Sequence, residues 1–261
     1  MLILCHGMPK SGCTPVFELV RSMLLHAGEP QETFINEERR EDRVSPLMRN
    51  FARNLTREKI ERMLSAIGPG RKVLVKTHSR MPEGQFRWLE NLYDAGELRV
   101  LASYRDPRAM CLSVLASAAK RNKATTGVID TVELRHAITS VQRRIPHFRE
   151  WGALKGTLRI NYDTAVLLLD DAMDHIEAAL GIKTNRAAAK RDTLETSHVS
   201  KVRDRRERFD EFSDAQNTEL VERFGEFLSQ VCALDNQAWF DARRPSLLKA
   251  SDERVTEPLG E

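Results

Sequence analysis

The first residues that could do chemistry form a glycine-bearing turn between Gly7 and Thr14, with the sequence GMPKSGCT. The apolar run before the turn predicts a β-strand, and the pattern after it predicts a helix whose N-cap is Thr14. Such a turn presents backbone N–H groups and the positive end of the helix dipole to an oxyanion. It differs from a Walker A loop because Lys10 precedes Gly12, and no obvious acidic strand end is present to hold magnesium. We therefore expect an anion-binding loop, and nucleoside triphosphate chemistry is disfavoured.

A second candidate anion contact is Arg105, which ends a predicted strand and precedes Asp106-Pro107-Arg108. A guanidinium binds phosphate through paired, charge-assisted hydrogen bonds, and proline suits the first turn of the helix expected next. Ser113 lies on that helix, eight residues after Arg105. Ligands of doubly wound sheets gather at the carboxyl ends of the strands, where Arg105 is expected. Taken alone, the segment also fits a strand-to-helix turn with a surface charge pair.

A candidate general base, His78, follows the apolar run Val73–Val75 with Lys76 two residues before it. Strand alternation points the side chains of Lys76 and His78 the same way. Histidine suits proton removal from an acceptor because its ordinary pKa, about 6.5, lies near neutral pH. A lone histidine after a strand more commonly makes a loop hydrogen bond, so its assignment as a base depends on the neighbouring motifs.

Taken together, these three motifs resemble those of the sulfotransferases that use 3'-phosphoadenosine 5'-phosphosulfate (PAPS) as donor. The loop is similar to the family's Pro-Lys-Ser-Gly-Thr-Thr segment, which holds the 5'-phosphosulfate, although Cys13 stands where the family usually has threonine. Pro15 stands where many members have a tryptophan near the adenine. The resemblance implies that the loop residues bind the donor, namely Pro9, Lys10, Ser11, Gly12, Cys13 and Thr14.

The same resemblance implies roles for the residues of the other two motifs. Arg105 and Ser113 match the pair that binds the 3'-phosphate of PAPS. Lys-Thr-His at 76–78 is similar to the segment whose histidine is the catalytic base, so His78 is expected to deprotonate the acceptor. Lys76 and Lys10 are expected to stabilise negative charge, Lys10 at the phosphosulfate bridge.

Two later segments match the family less closely. Members close the nucleotide site with a basic segment that contains glycines, whereas residues 198–203 here, HVSKVR, have none. Ser200, Lys201 and Arg203 are therefore either donor contacts or part of a solvated basic run. Tyr162, after a later predicted strand, matches a tyrosine that approaches the nucleotide, and Asp163 is expected to cap the following helix.

The elements that must position these residues alternate along the chain. Short runs with both faces apolar, separated by helical patterns, predict a parallel sheet covered by helices. The predicted class is a doubly wound α/β fold, and the resemblance implies the P-loop NTPase-like sulfotransferase fold. Strands are predicted at Leu2–Cys5, Val73–Val75, Val100–Ser103 and Leu158–Ile160. Helices are predicted at Thr14–His26, Phe86–Tyr93, Arg108–Lys120, Ile138–Trp151, Thr164–Leu180 and Ala215–Val231.

The chain length suits one domain, which we expect to span residues 1–242. The charged stretch 29–71 is expected to be a helical or mobile insertion, either a solvated surface or a lid over the acceptor. Residues 243–261 are polar and contain two prolines, which predicts a loosely held tail.

Composition and cysteine spacing disfavour several classes of protein. Lys and Arg total 41 against 38 acidic residues, so the near-balanced charge speaks against a nucleic-acid-binding protein. No apolar run approaches the ~18 residues of a membrane span, and the apolar start is too short for a signal peptide. The four cysteines show neither CxxC pairs nor zinc-finger spacing, which predicts reduced thiols, a cytoplasmic location and no metal site.

The function expected is metal-free sulfuryl transfer from PAPS to the hydroxyl of a small molecule, a lipid or a glycan. One alternative is a small-molecule or nucleoside kinase of the P-loop type, which should need magnesium and a lysine after the loop glycine. Another is a non-catalytic module that binds nucleotides or nucleic acid through the late basic segment. A monomer and a homodimer both fit the sequence.

Overall fold

The centre of the fold is a five-stranded parallel sheet, seen in a computed structural model that describes residues 1–31, 50–122, 129–195, 209–231 and 244–255. The sheet has the strand order β2-β3-β1-β4-β5. The predicted α/β class with a parallel sheet is therefore confirmed. The strands are β1 (Leu2–Gly7), β2 (Phe51–Ala52), β3 (Val73–Thr77), β4 (Leu98–Tyr104) and β5 (Leu158–Asn161).

Helices cover both faces of this sheet, as the alternating sequence pattern predicts. None of the helices in the described ranges combines the length and the apolar character that a bilayer crossing requires. The helices are α1 (Cys13–Leu25), α2 (Arg57–Ala66), α3 (Phe86–Asp94), α4 (Pro107–Asn122), α5 (Thr131–Gln142), α6 (Ile145–Gly152), α7 (Tyr162–Leu167), α8 (Leu169–Leu180), α9 (Arg186–Glu195), α10 (Asp214–Val231) and α11 (Arg244–Val255).

Alternate residues of β1 enter two separate hydrophobic clusters, as expected of a strand buried on both faces. Leu2 and Leu4 pack in a cluster that includes Trp151 of α6. Ile3 and Cys5 pack in a second cluster with residues of α1 and α8. All six residues of β1 are buried. The central strand is therefore fixed from both sides, and so is the loop that follows it.

The order of the strands reverses at β1. The strand β3 pairs with β1 on one side, and β4, the next strand along the chain, pairs with it on the other. Ligands of doubly wound folds bind beyond the carboxyl ends of the strands at such a switch point. The loop after Gly7, the last residue of β1, therefore lies where a ligand is expected.

The four predicted strands are confirmed, but the structure divides two of the predicted helices. The predicted helix Thr164–Leu180 is α7 followed by α8, because Leu168 between them has a non-helical backbone (φ −116°, ψ 57°). The predicted helix Ile138–Trp151 is likewise the end of α5 followed by α6. Both β2 and α2 lie within the stretch 29–71, which was expected to be a helical or mobile insertion; the sequence-based prediction gave no bounds for α2 and did not contain β2.

Most of the expected C-terminal tail is a helix, so the prediction of a loosely held tail is wrong for residues 244–255. The helix α11 packs beside α3, where Arg87 forms a two-pronged ion pair with Asp252 at 2.6 and 2.9 Å. Leu247 and Leu248 of α11 also pack against the larger hydrophobic cluster. Burial of these apolar side chains stabilises the position of α11, although most of its residues are polar.

Truncating the central strand should destabilise the protein far more than truncating an exposed residue. Leu4→Ala removes a fully buried side chain, so we expect the free energy of unfolding to fall by about 2–5 kcal/mol. The matched control is Leu167→Ala, because Leu167 is 59% exposed and its loss should change that free energy by less than about 0.5 kcal/mol. Denaturant unfolding of both variants measures the difference, and equal losses would contradict this arrangement of the core.

Candidate functional site

The loop between β1 and α1 has a backbone that only a few residues adopt easily. Lys10 and Gly12 both have left-handed backbone angles, with φ of 73° and 85°. Gly12 is the N-cap of α1, and no side chain caps this helix end. Thr14 therefore lies inside the helix, so its prediction as the N-cap is wrong. The N–H groups of the first turn lack a side-chain cap, which is the arrangement that favours an oxyanion ligand.

Ser11 fixes this loop to the neighbouring strand. Its side chain is fully buried, and its hydroxyl lies 3.1 Å from the carbonyl oxygen and 3.2 Å from the hydroxyl of Ser103 on β4. Its backbone N–H donates to the carbonyl of Met8 at 3.0 Å. A methyl group on Gly7 would overlap the hydroxyl of Ser103. Ser11 and Gly7 therefore hold the loop tightly against β4.

Three residues predicted from separate motifs meet on the β4 side of the loop. Tyr162 begins α7 and packs its ring on Gly12, because a methyl group built on Gly12 would overlap the ring atom Cδ2. The guanidinium carbon of Arg105 lies 4.2 Å from the centroid of the same ring, a cation–π geometry. The helix α7 is capped by Asn161, whose side chain accepts from the N–H of Asp163 at 2.7 Å, so the predicted cap by Asp163 is wrong.

Lys10 reaches from the loop to α4, the helix that carries Ser113. Its Nζ donates to the hydroxyl of Ser117 at 2.6 Å. The hydroxyl of Ser117 in turn donates to the carbonyl of Ser113 at 2.8 Å. The loop lysine and the predicted 3'-phosphate serine thus lie on connected segments.

Lys76 approaches the loop from β3. Its side chain is buried, and Nζ donates to the hydroxyl of Thr14 at 3.2 Å. The same Nζ lies 5.7 Å from the ring centroid of Phe17 and 5.6 Å from that of Phe51. Phe51 belongs to β2, the short strand that the sequence pattern did not indicate. These contacts hold the ammonium group at the start of α1.

His78 is bonded to the loop itself. Its Nδ1 lies 2.5 Å from the carbonyl oxygen of Gly7. A carbonyl can only accept a hydrogen bond, so Nδ1 carries the proton and Nε2 keeps its lone pair. Burial lowers the pKa of His78 to about 4, helped by the charges of Lys76 and Arg144 and opposed by the bond to Gly7. At neutral pH the ring is therefore neutral, with Nε2 able to accept a proton.

A tryptophan from a distant helix holds the segment around His78. The Nε1 of Trp151 on α6 donates to the carbonyl of Ser79 at 3.0 Å. Its ring stacks on that of His6, with centroids 5.6 Å apart. Burial lowers the pKa of His6 well below its usual value, so this second ring also stays neutral. Sequence reasoning missed Trp151 because nothing in the local pattern relates residue 151 to residue 79.

Three of the predicted donor contacts lie outside the described residues, namely Ser200, Lys201 and Arg203. Two other predicted donor contacts lie within them. Ser113 lies half-buried on α4, and Pro9 lies half-buried in the loop. Within the described ranges, no group of three or more His, Cys, Asp or Glu side chains could hold a metal ion.

The predicted site residues that lie close together surround the loop between β1 and α1. They are of two kinds, positively charged side chains and a neutral imidazole. Lys10 and Arg105 bring positive charge to the β4 side, and Lys76 brings it to the β3 side. The neutral ring of His78 lies on the β3 side as well. Positive groups and an uncapped helix end suit a phosphate ester, and a neutral imidazole suits a hydroxyl that must lose a proton.

The fold is similar to that of a solved sulfotransferase. Mouse sulfotransferase SULT7A1, complexed with PAP (3'-phosphoadenosine 5'-phosphate), aligns over 87% of this chain and 84% of its own, with a TM-score of 0.51 and 16% sequence identity. No family model matches the chain. No curated protein sequence matches it either. The chain therefore has an α/β fold of the sulfotransferase type.

A methyl group at Gly12 should damage the loop through its contact with Tyr162. Gly12→Ala combines an unfavourable positive φ with an overlap on the tyrosine ring. Gly28→Ala is the matched control, because Gly28 also has a positive φ of 83° but open space around it. We expect Gly28→Ala to cost about 1–2 kcal/mol in the free energy of unfolding, and Gly12→Ala to cost clearly more. Denaturant unfolding of the two variants measures both losses. An equal loss in the free energy of unfolding would show that the Tyr162 ring does not pack against Gly12.

Proposed function

We propose that this protein is a sulfotransferase that moves a sulfuryl group from PAPS to the hydroxyl of an acceptor. The observation that carries the proposal is the hydrogen bond from His78 to Gly7, because it joins a neutral base to an anion-binding loop. The similarity to a sulfotransferase structure supports the same activity. The acceptor class proposed is a hydroxyl-bearing small molecule, lipid or glycan.

The donor is proposed to lie along the loop and the start of α1. The N–H groups at this helix end and the side chains of Lys10 and Thr14 would receive the 5'-phosphosulfate. Arg105 and Ser113 would bind the 3'-phosphate, with the ring of Tyr162 holding the guanidinium in place. The PAP in the mouse protein supports a 3'-phosphorylated adenosine as the ligand. Ser200, Lys201 and Arg203 complete the proposed set of donor contacts.

The proposed reaction needs one base and a set of positive charges. The Nε2 of His78 takes the proton from the acceptor hydroxyl while the acceptor oxygen attacks sulfur. A new S–O bond forms to the acceptor as the S–O bond to the 5'-phosphate breaks, and the electron pair leaves with PAP. Lys10, Lys76 and the loop N–H groups stabilise the negative charge that develops on the departing oxygen. The products are a sulfate ester and PAP, with the proton on His78.

Arg105→Ala should weaken the binding of PAP by about ten- to a hundredfold, because a charge-assisted hydrogen bond contributes about 1.5–3 kcal/mol. The measurement is calorimetric titration with PAP in magnesium-free buffer, with ATP as a second ligand. Arg87→Ala is the matched control, since Arg87 lies on the surface and pairs with Asp252. It should bind PAP like the wild type. No binding of PAP by the wild type, or binding of ATP only with magnesium, would overturn the sulfotransferase proposal in favour of a kinase.

The protonation state of His78 can be measured without knowing the acceptor. Nitrogen and proton NMR should show a ring protonated at Nδ1 that titrates near pH 4, well below the usual value of about 6.5. The base is therefore present above about pH 4 and is lost as the pH falls through that value. The resonance is assigned by its absence in His78→Asn, which should lower sulfuryl transfer from radiolabelled PAPS by about 10²–10⁴-fold. A proton on Nε2 would argue against His78 as the base, because Nε2 would then have no lone pair to accept a proton. A midpoint near the usual value would contradict the burial of this ring.

A further inference from the structure

A surface cavity of about 570 Å³ lies next to the segment that carries His78. Five of its seven lining side chains are basic, and the other two are hydroxyl side chains of α5. No carboxylate of the described residues lines it. We call it the arginine cavity, and its basic lining residues are Arg80, His136, Arg143, Arg144 and His147.

The three arginines of this cavity differ from others on the surface. Elsewhere in the described ranges Arg108 pairs with Asp106 and Arg186 pairs with Asp174. Within those same ranges, no acidic side chain forms an ion pair with an arginine of the arginine cavity. The three guanidinium charges around the arginine cavity repel each other, and an anionic ligand would reduce that repulsion.

The arginine cavity lies beside the proposed base. Arg80 follows His78 by two residues, which limits the distance between their Cα atoms to about 7 Å. The charge of Arg144 contributes to the lowered pKa of His78, so these two groups are also close. Burial lowers the pKa of His147 to about 4, and the charges of Arg80 and Arg144 add to the effect.

The arginine cavity is separate from the proposed donor contacts. Arg105 and Ser113 follow β4, on one side of the central strand β1. Arg80 follows β3, on the other side of β1. The seven residues that line the arginine cavity include none of the proposed donor contacts, so a ligand in this cavity would leave those contacts to the donor.

We infer that the arginine cavity binds an anionic group of the acceptor, so that the acceptor is a hydroxyl compound that also carries a carboxylate, a sulfate or a phosphate. The inference rests on the proposed sulfuryl transfer, and it narrows the acceptor class. A neutral acceptor would leave the positive charges of the cavity uncompensated, whereas an anionic acceptor gains attraction and a fixed orientation toward His78.

The test is calorimetric titration of protein saturated with PAP, so that the phosphate loop is already filled. The probes are methyl glucuronide, its uncharged carboxamide and glucose 6-phosphate, which separate a carboxylate from a phosphate. We expect at least one anion to bind about tenfold or more tightly than the carboxamide. The Arg143→Gln/Arg144→Gln double variant should lose about tenfold in affinity for that anion and keep its affinity for the carboxamide. Both arginines are exposed, so the variant should fold.

The matched control is Arg135→Gln, which removes an exposed arginine of α5 that does not line the cavity. It should bind all three probes like the wild type. The inference is overturned if neither anion binds more tightly than the carboxamide, or if the double variant binds the anions unchanged. In those cases intact PAP binding shows that the donor proposal survives. If the wild type does not bind PAP, the proposed function is wrong, and this inference is wrong as well because it depends on that function.

Discussion

The site depends on Gly7, the residue at which the central strand ends. Its carbonyl accepts the hydrogen bond from His78, and a side chain on it would overlap the hydroxyl of Ser103. The first contact ties the loop to the β3 side, and the second ties it to the β4 side. Because Gly7 contacts residues from both neighbouring strands, His78 and the loop have a fixed geometry relative to each other.

The contacts of the positive side chains suit a site that must receive an anion. Lys10 donates to Ser117, Lys76 donates to Thr14, and Arg105 lies over a tyrosine ring. Hydroxyl groups and ring faces orient a cation. These contacts therefore place charge around the loop in advance of the ligand, which is the condition for efficient electrostatic stabilisation.

The sequence predicts the parts of this site whose structure is determined by the local residue pattern. It does not predict the parts that are determined by contacts between residues far apart in the chain. The strands before Gly7, Lys76 and Arg105 are short apolar runs, and their ends meet because parallel strands of one sheet share an edge. The helix cap was misplaced because the hydroxyl of Thr14 accepts from Lys76 on β3 instead of from its own helix.

Other features were missed for the same physical reason. Phe51, which packs near the ammonium group of Lys76, belongs to a strand of two residues that has no periodicity to detect. Trp151 supports the carbonyl of Ser79 across 72 positions of sequence. The C-terminal helix is ordered by Leu247 and by an ion pair to α3, neither of which a polar local composition indicates.

The arginine cavity and His78, the proposed base, are also linked electrostatically. The charge of Arg144 is one cause of the low pKa of His78, although burial is the larger one. In the proposed complex, an anionic group beside Arg144 offsets that charge, so the pKa of His78 rises part of the way toward its ordinary value. A base with a higher pKa accepts a proton more readily. The acceptor's own charge would thus strengthen the base when the hydroxyl is in place, while the empty site keeps His78 neutral and weakly basic.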